Sequence, residues 1–368
     1  MPLGRRPSQG AADAPQARLG GRVRRILLGL LLASGWPGLA HGYELGHGYP
    51  LPFLGLSAGG YYNIQADALS GEPTRASLQV LSLFLHGNPR PDWHFFTEIE
   101  ANNVLTWSEG NSHRPEADLD VERFYLDHNL GTRTTVRFGK FLTPIGRWNQ
   151  IHADPLVWTV SRPLSTIAAF APSASGAQLY GSWPAGKAAI DYQIYVDDSA
   201  QLDPTIGHEE TYPDLTVRPN PQNAFNQGVG ARLRYRSFDD DLQLGLSVAH
   251  FALREFPGYK NLVGADLFYT HHEAELTGEM VYRRDDTGGG KEWGGFLLLA
   301  VPLWDHVYGV AYHERFKAEL FSVPVDTTSL GITYRPTPPF SIKIEHRQST
   351  GTSSLAPTGW LFSVTALF

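Results

Sequence analysis

The chain has 368 residues, a formal charge of −7 and no cysteine. That excludes disulfides and thiolate metal sites, and an acidic chain is a poor partner for nucleic acid. With 42% hydrophobic residues and a mean hydropathy of −0.24, the averages suit a soluble domain, yet 38 glycines and 12% aromatics favour sheet and interface chemistry.

Residues 1–40 read as a cleaved secretory signal. Arg22, Arg24 and Arg25 precede the apolar run 26–33, Ser34-Gly35-Trp36-Pro37 breaks a helix, and Gly38-Leu39-Ala40 supplies small residues before a cut at His41. An apolar run this short cannot cross a hydrocarbon core, which needs roughly 20 residues. The stretch 1–21 is longer than a signal needs, as a misassigned start codon would make it. The signal holds six of the 30 Lys+Arg and one of the 37 Asp+Glu, so the remaining domain, 41–368, carries −12.

From there the pattern has a period of two. Candidate strands are 53–63, 75–86, 92–102, 119–129, 132–140, 174–183, 187–197, 229–236, 240–252, 261–270, 274–283, 291–302, 307–315, 329–335, 341–347 and 360–368. In 274–283, Ala274, Leu276, Gly278, Met280 and Tyr282 oppose Glu275, Thr277, Glu279 and Arg283. In 307–315, Tyr308, Val310 and Tyr312 oppose Ala311, His313 and Arg315. The count of about sixteen is even, as a single-chain bacterial barrel requires. Short turns such as 184–186, 237–240, 304–306 and 336–339 alternate with long segments at 103–118, 141–173, 198–224 and 254–260. That asymmetry predicts an all-β fold: a transmembrane antiparallel up-and-down β-barrel with short periplasmic turns and long outer loops. At this strand number the interior holds an aqueous channel, where eight strands would fill with side chains.

The connection 141–173 is too apolar to float in water and too long to be a plain loop. Trp148, Ile151, Leu156, Val157 and Trp158 are expected to pack on a barrel wall, with Arg147, His152, Asp154 and Arg162 facing the channel as its constriction. The same four residues also suit a salt-bridge cluster that merely holds the loop. The turn that opens the segment, Gly139-Lys140-Phe141-Leu142-Thr143-Pro144-Ile145-Gly146, resembles that of porins related to the phosphate-selective porins. The resemblance implies a third loop folded into the lumen that narrows the pore. It does not carry phosphate selectivity here, because this loop offers few lysines and arginines.

Further along, Arg232, Arg234 and Arg236 form an inward ladder suited to guiding anions, although inward Glu98, Glu100, Asp191, Glu275, Glu279 and Glu345 give a mixed-charge lumen. Asp203, His208, Glu209, Glu210 and Asp214 make the fourth loop acidic, suited to bridging lipopolysaccharide through divalent cations. His271-His272-Glu273 reads as a polar turn, and no metal site or cofactor is expected. At the end, Trp360, Phe362, Val364, Ala366 and Phe368 share one face, and the terminal Phe368 matches the signal read by the barrel assembly machinery.

These features predict a non-enzymatic porin of the Gram-negative outer membrane, passing small hydrophilic solutes or ions by passive diffusion. Its expected surroundings are outer-membrane lipid and lipopolysaccharide, and analogy with porins of this size suggests a homotrimer. The competing classes are a barrel enzyme of phospholipase or protease type and a non-conducting structural barrel. The enzyme needs Ser or Asp and His gathered at the outer rim, and Gly-x-Ser-x-Gly is absent.

Overall fold

Alternation with period two over most of the chain gives one continuous antiparallel sheet in a computed structural model, which describes residues 48–52, 55–108, 118–151, 153–203, 224–254 and 257–368. The expected signal, 1–40, lies outside the described residues. The strands are β1 (Tyr49–Leu51), β2 (Leu56–Leu69), β3 (Arg75–Arg90), β4 (Trp93–Ser108), β5 (Asp118–Asn129) and β6 (Thr134–Leu142). Then come β7 (Ser173–Ala185), β8 (Ala188–Asp197), β9 (Phe225–Arg236), β10 (Leu242–Leu253), β11 (Tyr259–His271) and β12 (Ala274–Asp285). The last are β13 (Lys291–Trp304), β14 (Val307–Lys317), β15 (Val325–Thr337), β16 (Phe340–Gly351) and β17 (Gly359–Leu367).

Each strand from β2 onward pairs with its sequence neighbour, and β17 returns to β2 with Phe362 opposite Ala66. Sixteen strands therefore close, and closure satisfies the backbone groups that an open edge would leave bare in hydrocarbon. The seventeenth, β1, pairs briefly with β2, Tyr49 opposite Ala58, and was not legible in the sequence. The first closing strand begins and ends later than the expected 53–63. Its inward Asn63, Gln65 and Asp67 are polar, so apolar patterning missed its second half.

The faces are inverted relative to a water-soluble protein. Leu330 and Met280 are 65% and 62% exposed, while Glu98 and Lys343 are 0% and 2%. An apolar outside and a polar inside are what lipid around the barrel requires. Exposed Trp183, Tyr235, Tyr269, Trp304 and Tyr334 sit near the short turns, where amphipathic rings belong at a membrane–water boundary. Strand β14 breaks the rule. Val310 and Tyr312 are buried inside, and Ala311, His313 and Arg315 point out. Apolar side chains are stable on the inner face there because Phe296, Leu298 and Ala300, with Trp148 and Val157 of the 143–172 connection, cover them.

Candidate functional site

Three prolines and a glycine shape the connection between β6 and β7. Pro144 and Gly146 turn the chain, Pro155 sits inside the 3-10 turn Asp154–Leu156, and Pro163 caps the one-turn helix Leu164–Ile167. Another single turn covers Trp148–Ile151. Turns this short leave most of their backbone N–H and C=O groups without internal partners. Side chains of the barrel wall supply them.

The donors go to three glutamates on alternate strands. Glu279 of β12 accepts from the backbone N–H of Arg147 (2.6 Å) and of Trp148. Glu314 of β14 accepts from the N–H groups of Leu164 (2.9 Å) and Ser165 (2.8 Å) and from the Ser165 hydroxyl (2.7 Å). Glu345 of β16 accepts from Val160 N–H (2.8 Å), Ser161 N–H (3.2 Å) and the Ser161 hydroxyl. The carbonyls go to cations and a hydroxyl. Lys343 Nζ donates to the Asp154 carbonyl (2.7 Å), Arg335 Nη2 to Val157 (2.8 Å), Arg283 Nη1 to Ala169 (2.9 Å) and Thr333 Oγ1 to Trp158 (2.8 Å). Gly146 has φ +65, and a Cβ there would stand 2.2 Å from Glu279 Oε2, so only glycine lets the first glutamate close on the chain.

Apolar packing finishes the anchoring. Trp148 and Val157 bury against Phe296 and Tyr312, Leu164 and Ile167 against Phe316 and Val325, and Ile145 and Phe170 against Phe225, Phe251 and Leu262. Leu156, expected on a wall, is instead 44% exposed.

Of the four expected constriction residues, the three described ones fall in two places. Asp154 and Arg162 form an ion pair (2.8 Å), with Asn63 Nδ2 donating to the second carboxylate oxygen (2.7 Å). Burial pushes the Asp154 carboxyl up, but Arg162 and Lys343 outweigh it and hold it below the usual carboxylate range. Arg147 lies elsewhere, its guanidinium 3.6 Å from the Phe268 ring centroid and its Nη1 3.3 Å from Gln243 Oε1. His152 lies outside the described residues, as do His208, Glu209, Glu210 and Asp214 of the acidic loop.

The arginines of β9 alternate with exposed Leu233 and Tyr235 and are all ion-paired. Arg232 is buried on Asp266 (2.7 Å), whereas Arg234 and Arg236, 31% and 29% exposed, share Asp191. Nearby on β5 and β6, Arg123 lies 4.6 Å from the Phe96 ring centroid, and Arg137 covers Tyr125 while holding Asp127 through two bonds. Phe368 extends the β17 ladder through two backbone bonds with Gly60 (2.7 and 2.8 Å), and its ring rests on the bare Gly60 backbone.

Alternation placed Glu279 and Glu345 inside, but nothing in the sequence said what they bind. Glu314, Lys343, Arg335 and Thr333 were not singled out, since their partners lie 149 or more positions away.

Comparison with known proteins agrees with this architecture. No family model matches the chain. A curated protein of Aquifex aeolicus (strain VF5), described as uncharacterized, is 26% identical over 223 residues, 59% of this chain and 49% of its own length. The chain thus spans about half the length of the curated relative it matches. Among solved structures, OmpF of Salmonella typhi in complex with daunomycin aligns with a TM-score of 0.58 at 11% identity, covering 85% of this chain and 97% of its own. The anion-selective porin from Comamonas acidovorans gives 0.53 at 12%, covering 85% and 99%. A loop L8 deletion mutant of OmpT, an outer membrane protein of Vibrio cholerae, gives 0.55 at 11%, covering 85% and 98%. At these identities the likeness is one of fold: a closed sixteen-strand antiparallel barrel.

Proposed function

We propose that the protein is a porin of the Gram-negative outer membrane, a passive channel for small hydrophilic solutes or ions. The observation that carries this reading is the inverted barrel with an internal segment tied to one side of its inner wall. A lipid-compatible outside, a charged inside and a fixed internal segment together suit a pore of set width. The fold likeness to OmpF and to an anion-selective porin supports it. So does the turn 139–146, whose resemblance to porins related to the phosphate-selective porins motivates the assignment of 143–172 as the narrowing loop.

Arg147 and Arg162 border that constriction in this reading. Arg147 works with Arg234 and Arg236 on permeating ions, while Asp154 and Arg162 brace the loop. Phe368 is the assembly signal, 1–40 the cleaved export signal, and a homotrimer the working oligomer. The test is single-channel recording of the purified, refolded protein in a planar bilayer. Stepwise ohmic currents are expected. A barrel that folds and inserts yet passes no current would sink the porin reading and leave a structural barrel.

A further inference from the structure

The strands leave for the long connections at one end of the barrel, and among the described residues the positive charge on the outer face there is confined to three neighbouring strands. Arg284 of β12 stands directly opposite Lys291 of β13, and Trp293 opposite Lys317 of β14, with Arg315 two residues back along the same face. Arg284, Lys291 and Arg315 are exposed and Lys317 is half-buried. Like charges directly opposite each other across a ladder repel. Among the described residues Arg284, Lys291 and Lys317 form no ion pair, and Arg315 reaches only Asp326, at 3.7 Å. Other cations near this end are engaged: Arg75 with Asp67, Arg254 with the Phe225 and Ser199 carbonyls, and Arg283 with Glu292.

Directly below the cluster the face turns apolar, with exposed Tyr282, Met280 and Leu297. Trp293 lies on the boundary, 6.0 Å from the Arg315 guanidinium. An amphipathic ring there marks headgroup depth. Unpaired cations above an apolar wall need an anion that is itself anchored in lipid at that level.

We propose that Arg284, Lys291, Arg315 and Lys317 form a docking site for the phosphorylated sugar headgroup of an outer-leaflet glycolipid. The lipid acyl chains lie along Leu297 and Met280, and the phosphates bridge β12 to β14 and relieve the like-charge contacts. The inference rests on the outer-membrane reading, in which the long-connection end faces outward.

The test uses the full-length mature barrel refolded in detergent, with bisphosphorylated lipid A as probe and bound lipid read by native mass spectrometry. Wild type should retain lipid A, and the R284Q/K291Q/R315Q/K317Q variant should bind it weaker by on the order of a hundredfold. A milder R315Q/K317Q pair should lose about tenfold, and D326N should bind more tightly than wild type. Neutralising exposed Arg133 and Lys187 at the short-turn end should change nothing. Equal binding by wild type and both neutralised variants overturns the site. So does equal binding of dephosphorylated lipid A, and so does retention of inorganic pyrophosphate as strongly as lipid A, since the site would then serve a free anion. Sheet circular dichroism and anomalous migration of unboiled samples report the barrel separately. If wild type lacks both, the membrane reading fails, not the site alone.

Discussion

Two stretches of the inner wall both carry charge and use it differently. On β12–β16, Glu279, Glu314, Glu345 and Lys343 are buried and spend their charge on the backbone of the 143–172 segment. On β5–β9, Arg123, Arg137, Arg234 and Arg236 remain 20–31% exposed, held by neighbouring carboxylates of the wall itself. The difference shows that charge inside a barrel is not function by itself. A charge bound to main chain fixes a shape, while a paired but wetted charge is, in the porin reading, left to act on passing ions.

The largest effect should come from breaking the holding side. Replacing Glu279, Glu314 and Glu345 together with Ala leaves six loop N–H groups without their acceptors. Each costs about 1–3 kcal/mol if it stays buried, so the segment should detach rather than remain. Trypsin should then cut after Arg147, which Trp148 follows, and conductance should rise. Continued protection of the Arg147–Trp148 bond would mean that apolar packing alone holds the loop.

Next in size is the contrast within the β9 ladder. Arg232→Ala strands Asp266 in the interior and should destabilise the barrel by about 3–5 kcal/mol in urea-induced unfolding. Arg234→Ala and Arg236→Ala each leave Asp191 with a second arginine and water, so about 1 kcal/mol or less is expected. If the three variants melt alike, the wetted and buried ends of the ladder are not distinct.

Ion selectivity sharpens the same division. Under a salt gradient, Arg147→Ala should shift the reversal potential toward cation passage more than Arg162→Ala, because the Arg162 charge is already neutralised by Asp154. A reversal potential that answers only to Arg162 would reverse the roles given to the two arginines.

The smallest effect concerns acid. The Asp154 carboxyl is held below its ordinary range, so its ion pair contributes stability above the unfolded-state value, about 3.9, and loses it only as pH falls below that. Conductance between pH 7 and 4.5 should therefore show no transition caused by Asp154. Asp154→Asn should remove any transition found at lower pH, and one that persists unchanged belongs to another group.

What could be read in the sequence was periodic and local. Strand alternation, as in Met280 and Tyr282 against Glu279 and Arg283, fixes which side chains share a face, because successive residues of a strand point opposite ways whatever the sheet packs against. The alternation of short and long connections likewise located both ends of the barrel. What only the tertiary structure decided was where an inward residue finds its partner. Val310 and Tyr312 are stable inside because Trp148 and Val157, from a connection far away in the sequence, join Phe296 and Leu298 over them. Glu314 gains its purpose from Leu164 and Ser165, 150 and 149 positions earlier. Closing sixteen strands brings β12–β16 round to the connection after β6, and no local pattern encodes that meeting, since it depends on where a loop without periodicity comes to rest.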